Sequence, residues 1–200
     1  MLRLDWTKFD RKFPLAKKCM RRLALGCLTP IVVLVAVSYG LFKLKEYQHH
    51  MNLVPADLEV TGILYSNEEN WGSILLPLPG DNETGILMYG LSAAVANKII
   101  TEGMSFFDRP ENVARRVGFQ GTQWHETPIA EGDDEWPVAK FGRKMSNYLD
   151  KYGFGILVDP SVESLVDDAI SKPGSFYSHG RTGLVIVIPK AKRVIFAYAG

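Results

Sequence analysis

The sequence predicts an α+β domain that follows a single N-terminal transmembrane helix. Three observations indicate this fold class: an uncharged apolar run over residues 23–42, an alternating polarity that begins near Leu58, and helical spacing in the second half of the chain. The sheet of this domain is expected to be mixed or antiparallel and to be packed by helices. The predicted parts are a basic cytoplasmic tail (1–22), the transmembrane helix (23–42), a stalk (43–57) and the extracytoplasmic domain (58–200).

The first thirteen residues contain an apolar stripe with helical spacing. Leu2, Trp6, Phe9 and Phe13 follow the i, i+4, i+7, i+11 pattern, and the charged residues of the segment lie on other faces. Such a helix would rest on the cytoplasmic leaflet with its aromatic face inward and its basic face toward anionic headgroups. The alternative is a disordered tail in which four apolar residues share a register by chance.

The apolar run Leu23–Phe42 has the length of a bilayer-spanning helix. Twenty residues at about 1.5 Å each reach roughly 30 Å, which is the thickness of the hydrocarbon core. A cleavable signal peptide has an apolar run of only about 7–15 residues, and the best cleavage motif here, Ala36-Val37-Ser38, lies inside the run. A buried helix of a soluble domain is the other alternative. We interpret the run as a permanent signal anchor.

Basic residues next to the run predict its orientation. Eight Lys and Arg precede it, whereas only Lys43 and Lys45 follow closely. The positive-inside rule therefore places the N-terminus in the cytoplasm and the C-terminal domain outside. We expect a bacterial inner-membrane protein with a periplasmic domain, or alternatively a mitochondrial inner-membrane protein.

Charge and cysteine usage exclude several functions for the outer domain. Residues 51–200 contain thirteen Lys and Arg against nineteen Asp and Glu, a net charge of −6. Nucleic-acid binding requires clustered basic residues, so we expect no nucleic-acid partner. Both cysteines, Cys19 and Cys27, precede the domain, which therefore has no disulfide and no cysteine-based zinc site.

The outer domain shows strand patterns first and helical patterns later. We expect strands over residues 58–65, 72–78, 85–89, 154–158, 184–188 and 193–199. We expect helices from Ser92 to Gly103, over 110–117, from Pro137 to Gly153 and from Asp159 to Ile170. The last two strands form a hairpin whose first strand is central in a sheet of five or six strands, with helices on one face.

The four histidines are the side chains considered as catalytic residues or metal ligands. His125-Glu126 lies in a long acidic loop-like stretch, and His179 lies in a glycine-flanked loop beside Arg181. They are weak catalytic candidates for a metal-assisted hydrolase, because Ile129 stands where a His-Glu-x-x-His motif needs its second histidine. His49 and His50 fit a polar stalk better than a metal site. No metal site or cofactor is predicted.

The acidic stretch between two tryptophans is the candidate partner-binding surface. Trp124 and Trp136 offer large contact areas, and the acidic residues beside them could steer a basic partner. These acids are Asp133, Asp134 and Glu135. The alternatives are that the acidic residues form a solvated loop and that the two tryptophans are core residues.

These features together predict a single-pass, membrane-anchored accessory or assembly subunit of an envelope complex, acting through protein–protein contacts of its periplasmic domain. Its expected partners are other membrane or periplasmic proteins and the lipid bilayer around residues 23–42. A membrane-tethered periplasmic hydrolase is the alternative. A ligand sensor is a third, although 22 cytoplasmic residues are too few for an output domain.

Overall fold

The computed structural model describes residues 14–70, 83–108, 121–130, 136, 143–180 and 183–200, with side chains from Thr29 onward except at Asn70, Gly121 and Thr122. Several predictions lie outside these residues. They concern the tail stripe (Leu2, Trp6, Phe9, Phe13), strand 72–78, helix 110–117, Arg181, and the acids Asp133, Asp134 and Glu135. The chain forms two compact units, Met1–Gln48 and His49–Gly200, and each is described by itself.

The first unit is built on one long helix, α1, which spans Pro14–Met51 and contains Pro30. The helix predicted over residues 23–42 is therefore confirmed as a helix. From Ile31 to Phe42 its large apolar side chains are 53–66% exposed. Within the residues that the structure describes, no helix combines the length and the apolar character that crossing a membrane requires.

The second unit contains one six-stranded antiparallel sheet in the order β1-β2-β6-β5-β4-β3. The strands are β1 (Val60–Asn70), β2 (Glu83–Leu91), β3 (Gly121–Glu126), β4 (Phe176–Gly180), β5 (Gly183–Ile188) and β6 (Arg193–Ala199). The α+β class is confirmed, and of the two expected sheet types the antiparallel one is found. The β5–β6 hairpin is central, as predicted.

Helices cover both faces of this sheet, whereas the sequence predicted helices on one face. They are α2 (Ala93–Glu102), α3 (Met104–Phe107), α4 (Met145–Leu149) and α5 (Pro160–Ser171). Residues of α2 and α3 share a core with Tyr89 and Phe196, and residues of α4 and α5 share a second core with Ile86 and Ile186. The unit therefore has three layers, with the sheet between two helical layers.

The two cores explain why the central strands are apolar without interruption. Successive side chains of a strand point to opposite faces. Val185 and Val187 of β5 enter the first core, and Leu184, Ile186 and Ile188 enter the second. Since neither face meets water, no alternation of polarity is needed.

The predicted ends of α2 and α5 are confirmed by their caps. The Ser92 hydroxyl accepts a hydrogen bond from the Val95 amide at 3.2 Å, and Gly103 ends α2 with a φ of 58°. Asp159 accepts a hydrogen bond from the Ser161 amide at 2.8 Å. The Ser161 hydroxyl, and after it this amide, hold the pKa of Asp159 below its ordinary value. Polar N-caps and a C-terminal glycine give these helices sharp boundaries.

Four segment predictions differ from the structure. Strand β1 continues to Asn70, beyond the predicted end at residue 65, and residues 154–158 are an irregular segment instead of a strand. Residues 121–126 and 176–180 form β3 and β4 instead of loops. The second unit begins at His49, and Leu53, Val54 and Leu58 pack into its first core.

Candidate functional site

The predicted catalytic candidates lie on the β3 and β4 strands and share one aromatic neighbour. His125 stands opposite Tyr177 in the strand register, with ring centroids 5.4 Å apart. The ring of Tyr177 contacts His179 at 5.7 Å. His125 and His179 are therefore diagonal neighbours on one face of the sheet, at a spacing of about 7–8 Å. Glu126, the next residue of β3, is exposed and points to the other face.

A metal ion needs several ligands near one centre. Among the residues that the structure describes, no group of three or more His, Cys, Asp or Glu side chains has such an arrangement. The two histidines thus meet around Tyr177 without a third ligand in the described part of the chain.

Both tryptophans of the predicted partner-binding surface are buried. Trp124 is 4% exposed and stacks on Phe107 with ring centroids 4.2 Å apart. Trp136 is 3% exposed and packs on Tyr148 at 5.1 Å. Their contact area is therefore used inside the domain, and we do not include them in the candidate site.

A pocket of about 420 Å³ lies elsewhere, near the end of α1 and the end of β1. Ligand pockets commonly have volumes of about 300–1,000 Å³. Three glutamates, two histidines, two aromatic rings and a leucine line it. They are Glu68, Glu69, Glu83, His49, His50, Phe196, Tyr198 and Leu53.

Two of the lining residues, Glu68 and Tyr198, belong to a cross-strand row that has Gly85 between them. Glu68 of β1 pairs with Gly85 of β2, and Gly85 pairs with Tyr198 of β6. The Tyr198 ring crosses over Gly85, where an added Cβ would lie 2.5 Å from the ring and its hydroxyl. The Tyr198 hydroxyl donates to Glu68 Oε1 at 2.7 Å. The absence of a side chain at Gly85 lets a tyrosine reach a glutamate two strands away.

His50, in the last turn of α1, is held by two contacts with the sheet. Its carbonyl accepts a hydrogen bond from the Tyr89 hydroxyl at 2.7 Å. Its Nε2 lies 3.3 Å from Glu68 Oε2, with both side chains largely buried. The two oxygens of Glu68 thus face a phenol and an imidazole, which fixes the plane of this carboxylate.

The surroundings keep both phenols protonated. Burial raises the pKa of Tyr198, and the hydrogen bond to Glu68 and the charges of Glu68 and Glu83 raise it further. Burial also raises the pKa of Tyr89, with a smaller contribution from Glu68. Burial and a neighbouring negative charge both disfavour a phenolate, so both groups act as hydrogen-bond donors.

The local sequence supplies this pocket with three glutamates and two histidines. From Glu46 to Asn97 the chain contains seven Asp and Glu and no Lys or Arg. All three lining glutamates fall within this stretch. The pocket can accept hydrogen bonds and balance positive charge, and its aromatic wall can contact a flat or apolar group.

Sequence reasoning missed most of this site. The sequence patterns placed His50 in a stalk and Glu68 and Glu69 beyond the first predicted strand, and they indicated no role for Tyr198. Two signals were present: the long stretch without Lys or Arg, and a glycine inside a strand, which often marks a close approach of another group. Comparisons with protein-family models, with curated proteins and with solved structures find no match to this chain.

Proposed function

We propose that this protein is a single-pass, membrane-anchored accessory or assembly subunit of an envelope protein complex, and that its periplasmic domain acts through protein–protein contacts. One observation carries the proposal, namely the exposed apolar side chains of α1 between Ile31 and Phe42. They continue the uncharged run that begins at Leu23.

The distribution of these side chains favours a bilayer over a partner helix. Residues 31–35 are five consecutive exposed aliphatic residues, and at 100° each they surround the helix completely. A partner helix covers one stripe, whereas lipid covers every side. Full burial of one such side chain is worth about 1.5–3 kcal/mol, so the eight Val, Leu, Ile and Phe side chains from 31 to 42 amount to more than about 10 kcal/mol.

The flanking charges support an N-terminus in the cytoplasm and the second unit in the periplasm. Eight basic residues precede the apolar run and two closely follow it. The bacterial inner membrane fits this arrangement and a cysteine-free outer domain, and the mitochondrial inner membrane is the alternative.

The pocket supports a binding role for the domain. It gathers charged and aromatic side chains from four segments in a concave site, which is typical of recognition. The alternative, a metal-assisted hydrolase using His125, Glu126 and His179, receives no support from the described residues, since they contain no three-ligand cluster.

Lysine substitutions test the anchor. Val32→Lys with Val33→Lys places two charges in the middle of the apolar run, at a cost of about 2.5–3.5 kcal/mol each for membrane insertion. We expect this variant to be extracted from membranes by alkaline carbonate. The matched control, Leu44→Lys with Tyr47→Lys, lies beyond the run and should stay membrane-bound. Equal retention of the two variants would contradict the anchor.

A reporter and a pull-down test the rest of the proposal. A fusion after Gly200 should be active only with a reporter that works outside the cytoplasm; a cytoplasm-active fusion would reverse the topology. Extraction in mild detergent should recover stoichiometric envelope proteins with the full chain. If the chain is recovered alone at native expression level, the proposal that it is a subunit of a complex is wrong.

A further inference from the structure

We propose that the outer edge of β1 is a self-association surface, at which a second copy of this chain adds its own β1 in an antiparallel register centred on Asn67. A two-fold axis relates the two copies, and their sheets join into one continuous sheet. The inference goes beyond the proposed function, because a contact between copies of this chain requires no envelope protein.

Strand β1 is an incompletely covered edge of the sheet. It is the terminal strand in the sheet order, and in the described part of the chain only β2 pairs with it. Every residue from Val60 to Glu69 is half-buried or exposed, whereas seven of the nine residues of β2 are buried. Ile63 and Tyr65 pack against the two cores and are still partly exposed. A long edge strand of this kind is a template for another strand.

The second half of β1 is the half suited to pairing. Two register shifts interrupt the part of the strand before Tyr65, and bulges of this kind discourage the addition of another strand. From Tyr65 to Asn70 the register against β2 contains no shift. Residues 65–70 therefore offer a regular template, whereas residues 60–64 do not.

Charge and side-chain direction select one register for this half. Since paired residues point to the same face, an antiparallel self-pairing must be centred on a residue and not between two residues. A centre at Glu68 places two carboxylates directly opposite each other, and a centre at Ser66 brings Glu68 against the irregular part of the strand. A centre at Asn67 pairs Ser66 with Glu68. It also pairs Tyr65 with Glu69, so no like charges lie opposite each other.

The carboxylate of Glu68 is turned away from the outer edge. Its Oε1 accepts a hydrogen bond from the Tyr198 hydroxyl at 2.7 Å, and its Oε2 lies 3.3 Å from His50 Nε2. Tyr198 belongs to β6, which lies two strands inward from β1. The charge of Glu68 is therefore directed into its own domain and does not oppose the approach of a second β1.

Leu157 supplies the interface with an apolar centre. The Asn67 side-chain amide donates to the Leu157 carbonyl at 2.7 Å. The Asp159 amide donates to the Tyr65 hydroxyl at 3.1 Å. These bonds hold the segment beside the regular half of β1, yet the Leu157 side chain is 92% exposed. Because Asn67 lies on the two-fold axis, the Leu157 side chains of both copies meet beside that axis, and each loses contact with water.

Disulfide trapping in the full-length chain in detergent tests the position of the axis. Cys19 and Cys27 are first changed to Ser, and Asn67→Cys is then added. Opposite residues of antiparallel strands have Cα atoms about 4.5–5.5 Å apart, a distance that a disulfide spans. We expect a covalent dimer on mild oxidation. The matched control, Gln123→Cys, is exposed on β3 at the other edge of the sheet and should remain monomeric.

Leu157→Glu tests the surface without changing the strand. Analytical ultracentrifugation of the parent chain should show reversible dimers with a Kd on the order of 10 µM, as expected for a small interface. Leu157→Glu should raise this Kd at least about tenfold, because it removes the apolar contact and brings two like charges together. The exposure of Leu157 means that the fold does not depend on its side chain. Ile100→Glu, at a 53% exposed position on α2, is the matched control and should dimerise like the parent chain.

Three outcomes would overturn the inference. The first is a parent chain that stays monomeric at about ten times the expected Kd. The second is a disulfide yield in folded Asn67→Cys no higher than in Gln123→Cys. The third is an equal Kd in Leu157→Glu and Ile100→Glu, which would assign any dimer to α1 or to another surface.

Two controls keep these outcomes distinct. Near-UV circular dichroism shows whether Asn67→Cys is folded, and if it is not, the comparison of Leu157→Glu with Ile100→Glu decides alone. All of these measurements use the purified chain. The pull-down of envelope proteins therefore succeeds or fails independently of them.

Discussion

Gly85→Ala should destabilise the domain through the Tyr198 ring. The new Cβ would lie 2.5 Å from the ring and its hydroxyl, whereas carbon atoms in contact sit about 3.5–4.0 Å apart. The ring must therefore move by about 1 Å or more, and the 2.7 Å hydrogen bond to Glu68 cannot survive that movement.

The magnitude follows from two opposing effects. A hydrogen bond to a charged group contributes about 1.5–3 kcal/mol, and the partial exposure of Glu68 favours the lower end of this range. Alanine is better than glycine in a strand by roughly 0.5–1 kcal/mol. The loss exceeds the gain, so we expect a decrease of about 1–2 kcal/mol in the free energy of unfolding.

A double-mutant cycle with Tyr198→Ala identifies the cause. Without the ring there is no clash, so adding Gly85→Ala to Tyr198→Ala should be neutral or should stabilise by up to about 1 kcal/mol. The assay is urea unfolding of the full chain in detergent, followed by near-UV circular dichroism. If Gly85→Ala costs the same with and without the tyrosine ring, the strand backbone is responsible and our reasoning fails.

Three other predictions concern stability. The pKa values of Tyr89 and Tyr198 are raised above 10.0 in the folded chain, so unfolding above pH 10 releases protons. The free energy of unfolding should therefore fall as the pH rises above 10, and this fall should be less steep in Tyr198→Phe. A pH series of urea unfolding curves checks this; parallel curves for the two proteins would contradict it. Trp124→Ala and Trp136→Ala should each lower the free energy of unfolding by about 3–5 kcal/mol, because both rings are buried. Wild-type thermal stability in either variant would show that its ring is not part of the core. Residues 49–200 should fold without α1 and without sensitivity to reductant, since they form one compact unit without cysteine; a random-coil circular dichroism spectrum would show otherwise.

Sequence patterns were sufficient where local chemistry decides the structure. Ser92, Gly103 and Asp159 bound their helices because capping depends on neighbouring residues alone. The β5–β6 hairpin was predictable because an unbroken apolar run beside a short turn indicates a central strand.

Patterns failed where long-range packing decides. The residues of β4, FYSHG, look like a loop because serine, histidine and glycine surround the two aromatic residues, yet Phe176 and Tyr177 enter opposite cores. FGILV looks like a buried strand, but Leu157 is 92% exposed. The pocket depends on Glu68 and Tyr198, which are 130 positions apart in the chain, and no local pattern joins them.

The strand order also constrains how the protein is made. β6, Arg193–Ala199, lies between β2 and β5, so it alone links the β1–β2 pair to the β3–β4–β5 group within the sheet. It is also translated after the other five strands. Until β6 has been synthesised, the nascent domain therefore has only the β1–β2 pair and the β3–β4–β5 group, and we expect a chain that stops before Arg193 to lose the complete sheet.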